Sequence, residues 1–399
     1  MTKLLDLKNH SVIAINQNNY TKKDNYKKVC YLDTDNITNN KINTLLKIDL
    51  TKEKLPSRAK RKCSINSIIY SSVRPNQRHF GIIKEIPKNF LVSTAFIVID
   101  IIDLEKLDPN YLYYYITQDK ITHHLQRIAE CGTSSYPSIT PLDFLNIKIK
   151  LYPLETQQKI ARTLSVLDQK IENNHKINEL LHKILELLYE QYFVRFDFLD
   201  ENNKPYQTSG GKMKFSKELN RLIPNGWSVR FLNHKIVSTY QPKTISKTLL
   251  NNSYSYSVYG GGGIIGRFTE YNHEQSEFII SCRGQCGISY LTLPKSWITG
   301  NAMVIRPTKS YTSKTYLYHT IKKYKLTNYI TGSVQPQITR QNLSTMPILI
   351  PKRKILNKWN NISSLLWNLI HNNMQSTQTL TALRDFLLPL LLKQQVKPQ

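Results

Sequence analysis

Residues 154–198 read LETQQKIARTLSVLDQKIENNHKINELLHKILELLYEQYFVRFDF, and this stretch decides the architecture of the chain. Neither glycine nor proline interrupts it. Apolar residues recur at alternating spacings of four and three over about four and a half heptads, which is the pattern of a coiled-coil helix. The positions of this seam are Ile160, Leu164, Leu167, Ile171, Asn174, Asn178, Leu181, Leu185, Leu188 and Tyr192. Such a helix needs a partner to cover its apolar stripe.

A second stripe with the same alternation lies at the C-terminus and supplies the partner. Its positions are Ile355, Trp359, Ile362, Leu366, Leu369, Asn373, Ser376, Leu380, Leu383, Leu387 and Leu390. The pattern therefore predicts two long paired helices, antiparallel if the globular parts are to sit apart. A helix of about 40 residues spans about 60 Å. Asn174, Asn178 and Asn373 would set the register of the pair, or would mark a solvated waist.

Length and composition indicate a folded protein with two or three domains among its 399 residues. No apolar run reaches the roughly 18 to 20 residues that a membrane span requires. The start of the chain lacks the features of a signal peptide, so we expect a cytoplasmic protein. The five cysteines are odd in number and form no Cys-x-x-Cys pair, which predicts reduced thiols and no zinc site.

The net charge of +27 is distributed unevenly. Residues 1–153 carry 23 basic and 14 acidic side chains, and residues 199–349 carry 19 and 6. The central stretch 154–198 is nearly neutral, with 6 and 7, while residues 350–399 hold 7 and 1. Biased composition alone would spread the charge evenly. Basic globular segments on either side of a neutral helix favour a polyanionic partner, with nucleic acid as the first candidate.

Residues 1–153 have the pattern of a mixed α/β domain. Strands are predicted within residues 27–38, 65–76, 93–102 and 146–153, and one helix within residues 111–128. Residues 199–225 are polar and contain two glycines and two prolines, which is typical of a linker.

The second globular segment repeats the first in order. The matching pieces are SSVRP and SCRG, TAFIVI and NAMVIR, YLYYYI and YLYHTI, GTSSYPSIT and GSVQPQIT, and IENN and IHNN. In the first pair Arg74 precedes Arg283 by 209 residues, and in the last pair the separation is 199. Five matches in one order indicate an internal duplication. The predicted fold is α+β, with globular domains at 1–153 and 199–350, helical spacers at 154–198 and 351–399, and a pseudo-two-fold arrangement.

The chain resembles the specificity subunits of type I restriction–modification systems over nearly its whole length. Residues 153–181 resemble the central helical repeat of that family, and TALRDFLLPLLL (381–392) resembles its distal repeat. YSVYGGGGIIGRF (256–268), IISCRGQCG (279–287) and IPNGW (223–227) are similar to one class of its target-recognition domain. PSRAKRKCSINSIIYSSVRPN (56–76) and GTSSYPSIT are similar to another. No Gly-Trp opening precedes the first domain, which suggests a shortened N-terminal edge.

The resemblance implies two target-recognition domains, each reading one half of an asymmetric, bipartite double-stranded DNA site with a fixed gap. It also implies a phage-defence complex in which two methyltransferase subunits bind the helices and two ATP-driven endonuclease subunits can join. This chain itself would be non-catalytic and without a cofactor. S-adenosylmethionine, ATP and magnesium would belong to the partners.

Arginine pairs with guanine, and asparagine or glutamine with adenine, so candidate base readers are arginines and polar residues in predicted loops. The candidates are Arg58, Arg61, Arg74, Arg78 and Tyr136 in the first domain, and Tyr259, Arg267, Arg283, Gln285, Gln335 and Arg340 in the second. Each could instead contact phosphate or solvent. Lys60, Lys62, Lys243 and Lys247 are better suited to phosphate. The outer face of the central helix, at Gln157, Arg162, Asp168, Glu172 and Glu179, is expected to meet methyltransferase subunits.

Other motifs favour different functions only weakly. Gly261, Gly263 and Gly266 fit a dinucleotide-binding pattern, but the residues after them are strand-like, which favours a tight turn near DNA. His123 and His124 lack a third metal ligand. No aminomethyltransferase motif occurs. A protein-binding coiled-coil scaffold and a fused methyltransferase remain the alternatives, separable by salt-dependent DNA affinity and by binding of the methyl donor.

Overall fold

The computed structural model describes residues 1–131, 136–251, 254–284, 286–332 and 335–397. The chain divides into two compact units. Unit 1 comprises residues 1–173 and 377–399, and unit 2 comprises residues 174–376. Each of the two long helices thus contributes one part to each unit. Within the described residues, none of the helices combines the length and apolar character needed to cross a membrane.

The elements that begin in unit 1 are β1 (Thr2–Lys3), α1 (Leu4–Asn9), β2 (Ile13–Ile15), β3 (Lys28–Leu32), β4 (Ile37–Thr38), β5 (Lys41–Ile42), β6 (Leu46–Asp49), β7 (Ala59–Arg61), β8 (Ile68–Ser71), β9 (Phe80–Ile82), β10 (Phe90–Ser93), β11 (Phe96–Ile101), α2 (Pro109–Ile116), α3 (Asp119–Glu130), α4 (Pro141–Leu145), β12 (Lys148–Ile149) and α5 (Leu154–Tyr189).

The elements of unit 2 are β13 (Met213–Ser216), β14 (Arg221–Pro224), β15 (Ser228–Phe231), β16 (Val237–Tyr240), β17 (Tyr256–Gly260), β18 (Gly263–Phe268), β19 (Phe278–Ser281), β20 (Ser289–Leu291), β21 (Trp297–Ile298), β22 (Ala302–Pro307), α6 (Lys314–Lys323), β23 (Ile330–Thr331), β24 (Gln337–Ile338), α7 (Arg340–Ser344), β25 (Pro347–Ile350) and α8 (Arg353–Leu392), which continues into unit 1. A single turn of π-helix, Glu190–Val194, prolongs α5.

Unit 1 is built on two four-stranded sheets, with strand orders β2-β11-β8-β9 and β6-β3-β10-β7. β11 (FIVIDI) is buried along nearly its whole length, because an apolar strand can lie between two neighbours with both faces covered. Helix α2 begins where the Asp108 carboxylate accepts the Tyr111 backbone N–H, with Pro109 at the first helical position. The prediction of a single helix within residues 111–128 is wrong, since Thr117 caps the C-terminus of α2 and α3 starts two residues later.

Unit 2 repeats this plan, and the repeat confirms the predicted duplication. Its four-stranded sheet has the order β16-β22-β19-β20, which corresponds strand by strand to β2-β11-β8-β9. The Tyr111 hydroxyl donates to the Lys150 carbonyl in unit 1, and Tyr316 donates to the Leu349 carbonyl in unit 2. The smaller sheet β18-β17-β21 also contains one parallel pair, as β6-β3-β10-β7 does. The α+β class is therefore confirmed.

The long helices pair antiparallel within each unit. In unit 1 the Arg384 guanidinium bonds the Asp168 carboxylate at 2.8 Å. In unit 2 the Asn373 amide donates to the Asn178 side-chain oxygen at 2.9 Å, and Asn178 in turn donates to the backbone of Ile370. Asn178 and Asn373 therefore contact each other across the seam, which is compatible with the predicted role of the asparagines in setting the register.

The seam of α5 lies where the heptads predict it. The seam of α8 agrees with the prediction at Ile355, Trp359, Leu366 and Asn373 but is displaced by one residue at Ile362 and Leu369. Ile362 and Leu369 are exposed by 37% and 44%, whereas Ser363, Trp367 and Ile370 are buried. Trp367, which is not a predicted seam position, packs into the core of unit 2 beside the predicted Trp359. The large indole of Trp367 is buried where the heptad pattern placed Leu366 and Leu369 at the seam.

Residues 199–225, predicted as a linker, instead contain a β-hairpin. β13 and β14 pair antiparallel from Met213 opposite Pro224 to Ser216 opposite Arg221. Trp227 follows the hairpin and is 1% exposed, stacked on Phe198 at 5.3 Å. The segment is polar in composition because much of it is exposed, so the sequence did not indicate the two strands.

Candidate nucleic-acid interface

In unit 1 the turn after β8 carries Arg74. A backbone bridge joins Val73 to Ser138, and hydrogen bonds on either side of it run from Arg74 N to the Pro137 carbonyl at 2.9 Å and from Ile139 N to the Ser72 carbonyl at 2.8 Å. Arg74 is exposed and has a left-handed backbone, with φ of +46°. The bridge thus holds its backbone in a fixed position while its side chain faces solvent.

The predicted readers Arg74 and Tyr136 are brought together. The Arg74 guanidinium lies 5.5 Å from the centre of the Tyr136 ring, within the range of a cation–π contact. Tyr136 is 62% exposed. An exposed arginine stacked on an exposed aromatic ring presents both hydrogen-bond donors and a flat surface, which suits base or phosphate contacts.

Arg58 and Arg61 flank the start of β11, next to the turn after β8. The Thr94 backbone N–H donates to the Arg58 carbonyl at 2.8 Å, and the Arg61 guanidinium donates to the Thr94 carbonyl at 3.3 Å. Partial burial lowers the pKa of Arg61 from its ordinary value. Arg58 is exposed and available to a ligand, whereas Arg61 is engaged with the backbone.

Arg78 is held by an acidic neighbour in unit 1. Its guanidinium bonds the Asp119 carboxylate at 2.8 Å, at the start of α3. Of the lysines in this unit, Lys62 bonds Asp24 at 2.6 Å, whereas Lys60 is exposed. A phosphate contact by Arg78 or Lys62 would therefore have to compete with a carboxylate.

Unit 2 places Arg283 at the corresponding turn after β19. A backbone bridge joins Arg283 to Gln337, and Ile338 N donates to the Cys282 carbonyl at 3.0 Å. By hydrogen-bond register, Arg283 corresponds to Val73. The sequence alignment of Arg74 with Arg283 is therefore off by one residue, because Arg74 lies three residues after the end of β8 and Arg283 only two residues after the end of β19.

The glycine-rich hairpin between β17 and β18 supports this turn. A side chain at Gly261 would bring its Cβ to 3.0 Å from the Arg283 carbonyl, so only glycine fits the approach without a shift. Gly263 has φ of +104° and opens a strand, not a helix. The arrangement therefore lacks the helix N-terminus that a dinucleotide site needs.

The prediction that Tyr259 contacts DNA bases is wrong. It is 3% exposed, and its hydroxyl accepts the Leu293 backbone N–H at 3.0 Å. Burial raises its pKa to about 12. The Tyr259 ring packs against buried residues of the sheets, including Ile279 and Ile298, because its strand is covered on both faces.

The remaining candidates of unit 2 differ in their surroundings. Arg267 is half-buried and donates to the Ser255 carbonyl. Gln335 and Arg340 are exposed, and Arg340 lines a cleft together with His234 and other polar residues. Gln285 lies outside the described residues. The phosphate candidates Lys243 and Lys247 are both exposed.

The stretch of sequence that carries this turn has only basic charges. No aspartate or glutamate occurs between Glu277 and Asp385, a stretch that contains 14 lysines and arginines. The same stretch includes both strands of the Arg283 turn and the start of α7. A stretch without carboxylates adds only positive charge to the surface of unit 2, which favours a polyanionic partner.

Histidines and cysteines add no chemistry to the described part of the chain. Within it, no group of three or more metal-ligating side chains comes together, and the five cysteines are free. His123 and His124 are exposed on α3.

Two residues that were predicted to lie on the outer face of α5 instead face other parts of unit 1. Gln157 is fully buried, where it donates to the Lys106 and Tyr152 carbonyls and accepts the Asp108 N–H. Asp168 faces Arg384, as described above, and accepts the Tyr114 hydroxyl at 2.6 Å. Gln157 thus satisfies backbone groups in the interior, and Asp168 is half-buried between Arg384 and Tyr114. Arg162, Glu172 and Glu179 are exposed on α5, as predicted.

An apolar face on the helices was missed by the sequence reasoning. In unit 2 it comprises Ile177, Leu180, Ile184 and Leu187 of α5, each exposed by 44% or more. Exposed apolar residues also occur on α8, at Ile362, Leu365 and Leu369 in unit 2 and at Leu383 and Phe386 in unit 1. The spacing of three and four in 177–187 is a second heptad stripe, so the signal was present in the sequence.

Comparison with known proteins decides the family. A family model described as "Type I restriction modification DNA specificity domain" matches residues 7–183 and 224–382. The chain belongs to this family of type I specificity subunits. As a member, it is a DNA-recognising specificity subunit and not itself a catalyst. The two matched segments also agree with the duplication seen in the two units.

Individual relatives are distant but extensive. The chain is 23% identical to the type I restriction enzyme HindI specificity subunit of Haemophilus influenzae, over 93% of this specificity subunit and 95% of the relative. It is 23% identical to the MjaIX specificity subunit of Methanocaldococcus jannaschii, over 73% and 70% of the two chains. The crystal structure of an S subunit from M. genitalium has the same fold, with a TM-score of 0.58, 16% identity and coverage of 98% and 95%.

Proposed function

We propose that this specificity subunit reads an asymmetric, bipartite double-stranded DNA target with a fixed gap, one half-site through each unit. Its target-recognition domains would occupy residues 1–153 and 199–350, and its helical spacers residues 154–198 and 351–399. The observation that carries this proposal is the repeated turn, at Arg74 in unit 1 and Arg283 in unit 2. Both turns carry the same backbone bridge, but Val73 and Ser138 in unit 1 stand where Arg283 and Gln337 stand in unit 2, which favours two different half-sites over a palindrome.

The proposed readers are the candidates whose side chains are exposed. They are Arg58, Arg74 and Tyr136 in unit 1 and Arg283, Gln335 and Arg340 in unit 2. Arg61, Arg78 and Arg267 are proposed as supports of the same surfaces because their guanidinium groups bond protein oxygens. Lys60, Lys243 and Lys247 would contact phosphates, which adds affinity without sequence preference.

The partners in this proposal are two methyltransferase subunits, with two endonuclease/translocase subunits able to join them. The apolar stripe 177–187 supports a protein partner on α5, because exposed apolar patches of this kind mark interaction sites. Arg162, Glu172 and Glu179 would form polar contacts around it. The chain would direct adenine methylation or restriction in the cytoplasm. S-adenosylmethionine, ATP and magnesium would be bound by the partner subunits.

A selection experiment tests the proposal. The full chain, assembled with its methyltransferase subunits, is used to select binders from double-stranded DNA with a randomised region. We expect two short conserved blocks separated by a constant number of random bases. Affinity for the selected DNA should fall steeply with salt, since phosphate contacts release counterions. Recovery of one continuous motif, or of no motif, would contradict the proposal.

A further inference from the structure

Three polar side chains form a cross-strand row in unit 2. Arg283 pairs with Gln337, and Gln337 pairs on its other side with Thr331. Residues directly opposite each other on neighbouring strands project from the same face of a sheet. All three are exposed. Neighbouring strands lie about 4.8 Å apart, so the row is about 10 Å long.

The opposite face of the same ribbon anchors it. Ile338 follows Gln337, is 2% exposed and pairs with Ile330. Because side chains alternate along a strand, the burial of Ile338 fixes Gln337 on the solvent face. The Asn342 side chain also donates to the Thr331 hydroxyl at 3.2 Å, and this hydroxyl donates to the Gln337 carbonyl at 3.5 Å, so its hydrogen-bonding atoms are engaged within the protein.

We propose that unit 2 reads its half-site by laying this row, Arg283–Gln337–Thr331, along the base edges in the DNA major groove. The major groove admits a narrow β-ribbon, and 10 Å covers about three base-pair steps of 3.4 Å. Arg283 pairs with guanine and Gln337 with an adjacent adenine, through two hydrogen bonds each. The Thr331 methyl group contacts the methyl group of thymine. This inference rests on the proposed function, and it identifies the residues of unit 2 that contact the bases.

Unit 1 offers a different set at the corresponding bridge. Val73 and Ser138 take the positions of Arg283 and Gln337, and neither is charged. Arg74 is one residue further along and is stacked on Tyr136. The bridge in unit 1 therefore cannot make the guanine and adenine contacts of the bridge in unit 2, and the two half-sites differ in sequence.

The test repeats the DNA selection with variants of the full chain in its methyltransferase complex. Arg283→Ala should lower the preference for guanine at one position, and Gln337→Ala the preference for adenine at its neighbour. In each case the ratio of affinities for the preferred and the other bases falls by about 5- to 150-fold. Gln337→Glu keeps the backbone and changes the preferred base from adenine to cytosine, because a carboxylate accepts from the cytosine amino group. Thr331→Val keeps the methyl group and preserves the selected base. Arg230→Ala, at an exposed arginine on β15, is the matched control and leaves the motif unchanged.

The outcomes separate this inference from the proposed function. A base change confined to one half-site, with the other half-site intact, supports the proposal that the row reads the bases of that half-site. Equal loss of affinity for all sequences would assign Arg283 and Gln337 to phosphates and overturn it. An unchanged motif in the Gln337→Glu variant overturns it as well, while the bipartite motif of the parent chain still upholds the proposed function. A parent chain that selects no bipartite motif contradicts the function itself.

Discussion

Two histidines, the buried His319 and the half-buried His371, should make the stability of unit 2 depend on pH. His319 is 4% exposed and lies between the rings of Tyr189 and Trp359, at centroid distances of 5.5 and 5.3 Å. His371 lies against Trp367. Within the described residues, neither histidine has a hydrogen-bond partner for its Nε2 atom. Burial lowers the pKa of His319 to about 3 and that of His371 to about 4.

The sign of the effect follows from the unfolded chain, in which both side chains titrate near pH 6.5. Above pH 6.5 the histidines are neutral in both states and the free energy of unfolding does not depend on them. As the pH falls below 6.5, the unfolded chain binds protons that the native unit excludes, so stability is lost progressively toward the folded pKa. At pH 5 the loss is about 2 kcal/mol per histidine and about 4 kcal/mol for both.

Tryptophan fluorescence measures this in unit 2 alone, because all four tryptophans, at positions 227, 297, 359 and 367, lie there. Urea unfolding of the full chain at pH 8 and pH 5 should show the loss of about 4 kcal/mol. The double variant His319→Phe with His371→Phe keeps two aromatic rings and should remove most of the pH dependence. The matched control, His123→Phe with His124→Phe, changes exposed histidines of α3 and should leave it intact.

Equal unfolding free energies at the two pH values in the parent chain would refute the argument. An unaltered pH dependence in the His319→Phe, His371→Phe variant would refute it too, since it would place the titrating groups elsewhere. His182 and His273 also have pKa values lowered by burial and leave a smaller dependence of the same sign in the double variant.

Three further substitutions probe the helices. Arg384→Met removes the ion pair with Asp168 and should lower the stability of unit 1 by about 1.5 kcal/mol, measured as faster hydrogen exchange in its helical segments. Asn373→Ala leaves the Asn178 side-chain oxygen without its donor and should lower the urea midpoint of unit 2, by about 1 kcal/mol in free energy. Leu187→Glu places a carboxylate on the apolar stripe and should weaken methyltransferase binding about tenfold or more in calorimetry, with DNA half-site preference unchanged once the complex is saturated.

The architecture could be predicted from the sequence because heptads and duplicated motifs are visible as patterns of consecutive residues. The α5 seam follows directly from its spacing. The local departures within α8 do not, since they depend on where Trp367 packs in a core assembled from distant residues. The hairpin at 213–224 escaped for a similar reason, because its strands are short and mostly exposed.

The candidate site was predictable only in part. Composition and loop position correctly singled out Arg74 and Arg283 as exposed arginines at strand ends. They could not separate these from Tyr259, whose burial depends on the pairing of β17 with β18 and β21. Gln337 was missed because its partner in the row, Arg283, is 54 residues away, and only strand register brings the two side chains to one face.

The central claim is that this chain determines a two-part DNA sequence. Methylome sequencing of cells with and without the gene, all else equal, tests it most directly. The account predicts adenine methylation at one asymmetric bipartite motif of constant gap, present with the gene and absent without it. A methylome that is the same in both cells, or a gene-dependent motif that is continuous or palindromic, would contradict it.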